Sequence, residues 1–231
     1  MSNTTSVITT LPASQPFDPT ATPWSTVGYL TYKRTYSRRL VDGDTTGPTE
    51  EWTDTIERVI KGSNEQLHCN FTDDEQHRLR YYLTKLKGSV AGRFLWQLGT
   101  PTVKRLGLPS LQNCAFIAID NPIRPFTWAM DMLMLGSGVG FSIQREHVNQ
   151  LPPVKRGFVG PTRHDKADAD FIIPDTREGW VALLERTLES AFARRKSETF
   201  TYSTQLVRGK GAAINGFGGV ASGPEVLCDG I

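Results

Sequence analysis

"NCAFIAIDNPIRPFTWAMDMLMLGSGVGFSI", residues 113–143, decides the fold. Its first eight residues are rich in apolar side chains, which predicts a short strand covered on both faces. "PFTWAMDMLMLG" begins at Pro125, a residue suited to a first helical turn, and is apolar almost all round. That pattern predicts a buried helix. "GVGFSI" then returns to strand. Strand, helix and strand in close succession predict α/β architecture with mostly parallel strands.

Two features of this stretch raise the question of chemistry. Cys114 stands at the mouth of the first strand. A buried cysteine is commonly an inert filler, and a redox thiol is the alternative; the residue alone leaves both open. "GSGVGF", residues 136–141, has GxGxG spacing. A dinucleotide fingerprint runs strand, glycines, helix, whereas here the helix comes first. What remains is a glycine cap with a tight turn into the strand, or glycines that admit a ligand close to the backbone.

Toward the C-terminus, "LPPVKRGFVGPTRHDKADAD" (151–170) reads as a long polar connection. "PDTREGWVALLERTLESAFARRK" (174–196) reads as an amphipathic helix. Asp175 followed by Glu178 makes a capping box. The same helix start could face a ligand, and an Asp there suits a ribose hydroxyl better than a phosphate. In residues 208–224, six of seventeen are glycine, beside Arg208, Lys210, Ile214 and Phe217. That mixture reads as a mobile ligand-contacting loop, against the plainer reading of a surface loop. It lacks the GxxxxGK[ST] pattern of a P-loop.

Toward the N-terminus, "VGYLTYKRTY" (27–36) is aromatic and β-rich and predicts a strand or extended arm. "GPTEEWTDTIERVIKG" (47–62) places Trp52, Ile56, Val59 and Ile60 at helical spacing, with Gly62 as the stop. "FTDDEQHRLRYYLTKLKG" (71–88) predicts a second helix, capped by Thr72 with Glu75 and stopped at Gly88. The expected organisation is a flexible lead-in over 1–26, a mainly helical region over 27–90, and an α/β region over 91–231.

Composition narrows the function classes. The 231 residues carry 26 basic and 24 acidic side chains, a net charge of +2, which makes no strong case for a nucleic-acid or membrane partner. Cys69, Cys114 and Cys228 are too far apart for CxxC motifs, which excludes the usual zinc and thioredoxin patterns and predicts no metal site. An odd, sparse count suits a reducing compartment. The four histidines stand in no nucleophile motif. The N-terminal stretch lacks the marks of a signal peptide, and no apolar run approaches a membrane span. A soluble, cytoplasmic protein is expected.

Six ordered segments, "GYLTYKRTYSR", "GRFLWQLGT", "LQNCAFIAI", "GSGVGFSIQREHVNQLPPV", "PDTREGW" and "INGFGGVASGP", carry a family resemblance. Over about residues 27–225 the chain resembles the adenosylcobalamin-dependent, class II ribonucleotide reductases, and most closely their monomeric ribonucleoside-triphosphate type.

The resemblance implies a helical region followed by the first part of a ten-stranded α/β barrel. It implies reduction of ribonucleoside triphosphates to deoxyribonucleotides. A thiyl radical, generated with adenosylcobalamin, takes the 3′-hydrogen, and two further thiols reduce the substrate and end as a disulfide. Cys114 matches the first of those two. Asn113, Gly138 and Gly140 match the substrate pocket. The helix start at Asp175 matches a part of the effector site. Arg208, Lys210, Gly211, Gly216, Gly218, Gly219 and Ser222 match the loop that senses a deoxynucleoside triphosphate effector. The implied partners are the substrate, the effector, a thioredoxin-like reductant and a complementary chain that completes the barrel. The family's radical-bearing Asn-x-Cys-x-Glu pattern is absent from the sequence. The chain alone is therefore expected to be incomplete, with most of the cobalamin site outside it. The rival reading is a non-catalytic nucleotide-binding fragment or a degenerate remnant.

Overall fold

The computed structural model describes residues 22–41, 44, 46–192, 199–214, 217 and 219–231. The lead-in expected over 1–26 falls mostly on residues 1–21, outside the described residues. The chain divides into two compact units, one of residues 1–41 and 47–104, the other of residues 42–46 and 105–231.

The first unit is helical, with α1 (Thr26–Thr35), α2 (Trp52–Leu67), α3 (Asp73–Thr84) and α4 (Gly92–Gln97). The strand predicted over 27–36 is instead α1. The Ser25 hydroxyl accepts from the Gly28 N–H at 3.1 Å and caps the helix. Tyr29 and Tyr32 then lie one turn apart and join Trp24 and Trp52 in an aromatic cluster. Packing overrides the β preference of these side chains. Burial pushes the Tyr32 hydroxyl up to about 12.

Two helix stops also differ from expectation. α2 runs through Gly62 and ends at His68, whose φ is 55°. Gly62 is a contact residue, since a Cβ there would sit 2.5 Å from the Gly99 backbone nitrogen. The Thr72–Glu75 capping box forms as expected, but α3 ends at Thr84, ahead of Gly88.

Following α5 (Pro101–Leu106), the second unit contains β1 (Cys114–Ala118), α6 (Arg124–Met134), β2 (Gly138–Ser142), α7 (Arg145–Val148), β3 (Thr162–Arg163), β4 (Phe171–Ile172), α8 (Arg177–Phe192), β5 (Thr201–Ser203) and α9 (Glu225–Gly230). β1 pairs with β2, and β3, β5 and β4 form a second sheet with β5 in the centre. Every one of these pairings is parallel, in accord with the α/β expectation. α7, β3, β4, β5 and α9 were not expected; β3 arises within the polar connection because Thr162 and His164 bond to Phe200 and Tyr202 across the sheet.

The second sheet is well covered. Ile173, Leu183, Phe200, Tyr202, Val207 and Leu227 form its core. The first sheet is not. Phe116 is 67% exposed and Phe141 61%, so the cover predicted on both faces of β1 is not supplied among the described residues. α6 is likewise only partly buried, with Leu133 exposed.

Candidate functional site

The βαβ unit places the Cys114 thiol. α6 ends in a Schellman motif: Gly136 N–H donates to Leu133 O at 2.8 Å, and Ser137 N–H to Met132 O at 3.0 Å. Gly136 takes a φ of 83°, which supplies the left-handed step. The capping reading of this turn therefore holds. The turn delivers β2 in register, with Cys114 opposite Gly138 and Phe116 opposite Gly140.

Side chains alternate along a strand. Cys114 and Phe116 therefore share a face with Gly138 and Gly140, and all four are exposed. On the other face Ala115, Ile117 and Val139 are half-buried and Phe141 is exposed. Cys114 is a free thiol, not a buried filler. Beside it, the two glycines of β2 leave a floor without side chains. Their φ values are not positive, so conformational freedom is not why glycine stands there. A Cβ on Gly140 would lie a tight 3.2 Å from the Phe116 ring, whereas one on Gly138 would meet only the Asn113 carbonyl, at an ordinary 3.7 Å, so packing within the described residues does not require glycine at 138. That Asn113 carbonyl accepts from the Gly138 N–H at 2.9 Å, which ties the predicted substrate residues together through the backbone.

A second site is a cavity of about 340 Å³. Its wall includes Asp175, Arg177, Trp180, Arg208, Phe217 and Ser222. Asp175 is not the helix cap it was read as. The Thr176 hydroxyl takes that place and accepts from the Gly179 N–H at 3.0 Å. Asp175 instead accepts from the Arg208 backbone N–H at 3.1 Å and from its Nε at 2.8 Å. Arg208 Nη1 donates to the Ala213 carbonyl at 2.7 Å. One arginine thus ties the start of α8 to the glycine-rich segment. Arg177 pairs with Asp131 and Glu178, while its Nε is buried without a hydrogen-bond partner.

The glycine-rich segment folds back on itself. Ala213 and Val220 form an antiparallel bridge, and Ala221 N–H donates to Ala212 O at 2.7 Å. Of the predicted effector residues, Asp175, Arg208 and Ser222 meet at the cavity. Lys210, Gly211 and Gly219 are exposed on the same segment. Gly216 and Gly218 lie outside the described residues. Sequence reasoning missed Arg105, Leu135 and Trp180, which also line the cavity. Trp180 had a signal, since it stands one helical turn beyond Arg177 and shares its face. Arg105 and Leu135 are distant in sequence and had none.

The family model for the ribonucleotide reductase alpha domain matches residues 14–100. Over that range the chain is similar to ribonucleotide reductases. The model for the insertion domain of B12-dependent ribonucleotide reductase matches residues 146–231, a likeness to the B12-dependent enzymes. Cys114 lies between the two matched ranges.

The adenosylcobalamin-dependent ribonucleoside-triphosphate reductase of Lacticaseibacillus paracasei is 33% identical over 89% of this chain and 35% of its own length. A probable enzyme of the same name from Dictyostelium discoideum is 35% identical over 87% of this chain and 29% of its own. A crystal structure of B12-dependent (class II) ribonucleotide reductase superposes with a TM-score of 0.69 at 30% identity, over 89% of this chain and 36% of that one. The chain thus spans about a third of the length of the curated relatives it matches. No helix among the described residues is long and apolar enough to cross a membrane.

Proposed function

We propose that this chain forms part of an adenosylcobalamin-dependent ribonucleoside-triphosphate reductase and supplies Cys114 as one thiol of the reducing pair. The observation that carries the reading is the exposed Cys114 thiol beside the glycine floor of β2. A sugar ring can lie flat over Gly138 and Gly140 with its 2′-carbon near the sulfur. In the reduction the 2′ C–O bond breaks and the hydroxyl leaves as water. Two thiols give up two electrons and become a disulfide, which a thioredoxin-like dithiol reduces. The remaining strands of a ten-stranded barrel, including the second thiol, come from a complementary chain. Three free cysteines suit a reducing compartment, the cytoplasm.

In this reading the α8 cavity takes a deoxynucleoside triphosphate effector. Its size, about 340 Å³, falls within the range of small-ligand sites. Trp180 and Phe217 offer ring faces, and Arg105, Arg177 and Arg208 offer cations. The cavity is too small for a corrin, and the floor beside Cys114 is open. The residues described here do not fit adenosylcobalamin as a binding site, and its surface is assigned outside this chain.

A rival reading, a nucleotide-binding fragment without turnover, draws support from the cavity, which is built entirely from the second unit. Assays of the pure chain and of the chain supplied with the rest of the barrel in trans separate the two. The pure chain binds deoxynucleoside triphosphates and Arg208→Ala abolishes that binding, while deoxynucleotide production requires the second component. Turnover by the pure chain would overturn the need for a partner. In the complemented system Cys114→Ser should remove multiple turnover and keep nucleotide binding. Sustained turnover by that variant would return Cys114 to a packing role.

A further inference from the structure

Cys114 is a free thiol on the first residue of β1, and among the described residues its sheet has two strands. An exposed strand end of that kind opens locally at low cost. Two hydrogen bonds to consecutive carbonyls oppose the opening. The Ser137 hydroxyl donates to the Gln112 carbonyl at 2.7 Å. The Gly138 N–H donates to the Asn113 carbonyl at 2.9 Å. Gln112 and Asn113 are the two residues that lead into Cys114. The second bond joins backbone to backbone, and any residue with an N–H can make it. The first depends on one side chain.

Ser137 is 3% exposed, and its own N–H donates to Met132 O at 3.0 Å within the Schellman turn. The hydroxyl therefore projects from a backbone already fixed by α6 and by the left-handed Gly136. On the receiving side, a 3-10 turn of Leu108–Leu111, with Ser110 and Leu111 buried, ends at Gln112. Gln112 is exposed, so water can take over its carbonyl when the hydroxyl is removed, and the cost to folding is small. What the bond contributes is position. A buried hydroxyl pins the residue that stands two before an exposed thiol.

We propose that Ser137 is a positioning residue for Cys114 and holds the thiol in place over the glycine floor of β2. The proposal rests on the reading of Cys114 as a reducing thiol. In that reading the sulfur must lie within reach of the ribose 2′ position, and a misplacement of about 1 Å costs on the order of 100-fold in rate. Ser137 is buried, so it acts through the mouth of the strand and makes no contact with a ribonucleotide on the floor. Its loss should lower kcat and leave KM in place.

The test has two arms. In the first, the full chain carries a nitroxide label on Cys114, in a background of Cys69→Ser and Cys228→Ser, and label mobility is read by electron paramagnetic resonance. Ser137→Ala should lose the slow, ordered component of the spectrum, and Ser137→Thr, which retains the hydroxyl, should restore it. A label placed through Phe141→Cys, in a background that also carries Cys114→Ser, should not respond, because Phe141 is exposed near the other end of β2. In the second arm the chain is supplied with the rest of the barrel, and kcat and KM for a ribonucleoside triphosphate are measured per folded protein. Ser137→Ala should lose about ten-fold or more in kcat at unchanged KM, and Ser137→Thr should recover it.

An unchanged spectrum at Cys114 in Ser137→Ala overturns the proposal. So does equal loosening at positions 114 and 141, which marks a general loss of stability. An unchanged kcat overturns it, and so does a kcat loss matched by a rise in KM, since the serine would then be shaping the floor. If the complemented wild type shows no turnover, the reducing role of Cys114 fails, and the first arm alone decides the positioning. If Ser137→Ala does not fold, Ser137→Thr and Ser137→Val decide. They share a shape and differ in the hydroxyl, so a mobile label in the valine variant alone supports the tie and equal spectra overturn it.

Discussion

The second unit holds two parallel sheets that have met opposite fates. In the β3–β5–β4 sheet, Tyr202 is 4% exposed and the adjoining Ile173 is fully buried. In the β1–β2 sheet, Phe116 on the Cys114 face and Phe141 on the opposite face are each more than 60% exposed. Both sheets are short, parallel and fed by helices, so strand chemistry does not separate them. The difference is cover. α8 and α9 supply Leu183 and Leu227 to the core of the second sheet, while the Cys114 face of the first receives nothing comparable from the described residues. The chain completes its packing around the cavity and leaves open the face that bears the thiol.

The sharpest way to break this comparison is a pair of truncations. Ile173→Ala should cost about 2–5 kcal/mol, as large-to-small changes in closed cores do. Phe116→Ala should stay within about 0.5 kcal/mol in the isolated chain, as exposed positions do. Urea unfolding of both variants checks this, and equal losses would end the distinction. With the complementary chain present, Phe116→Ala should instead weaken assembly.

A pair of glycines makes a smaller version of the same test. A Cβ on Gly179 would sit 2.5 Å from the Pro174 carbonyl oxygen, a backbone atom that cannot swing away. Gly179→Ala should cost about 1–3 kcal/mol through overpacking. A Cβ on Gly140 meets an exposed Phe116 ring that can turn aside. Gly140→Ala should therefore leave the melting temperature almost unchanged while intruding on the glycine floor. In complemented enzyme it should raise KM for the ribonucleotide. A melting temperature that falls as far as that of Gly179→Ala would show the floor to be packed after all.

The smallest expected effect concerns acid. Asp165 accepts from the Thr204 backbone N–H at 2.7 Å and pairs with Arg163. The Thr204 bond first, and the arginine beside it, hold the Asp165 carboxyl below the usual carboxylate range. A carboxylate lowered in the folded state stabilises above its unfolded pKa, about 3.9, and loses that contribution as pH falls through the lower folded value. Asp165→Asn should therefore be less stable than wild type at neutral pH, and the gap should close on acidification below about pH 4. Thermal melts across that range check it; a gap that widens in acid would refute the assignment.

The βαβ unit and its parallel pairing were legible in the sequence because each element carries its own periodicity and stop. The Thr72–Glu75 cap was legible because both partners lie within one turn. The α1 segment was not, because Tyr29 and Tyr32 are β-prone residues whose helical placement depends on Trp52, more than twenty residues away. Asp175 misled for a related reason. Its local pattern suits a cap, but Arg208 claims its carboxylate from 33 residues on. The family resemblance singled out Cys114 and the glycine-rich segment, whereas the place of Leu135 in the cavity wall depends on packing that no local pattern encodes.

The open sheet has a further consequence. In a two-stranded parallel sheet, alternate amides of each strand point away from the partner strand. Those outward N–H groups of β1 and β2 have no strand beside them among the described residues, so they exchange with solvent deuterium at rates set by local exposure. A third strand laid along either edge would slow that set alone and leave the inward amides as they were. Exchange at alternate positions of Cys114–Ala118 and Gly138–Ser142 therefore works as a clock for assembly, with each edge reporting the moment at which it gains a neighbour.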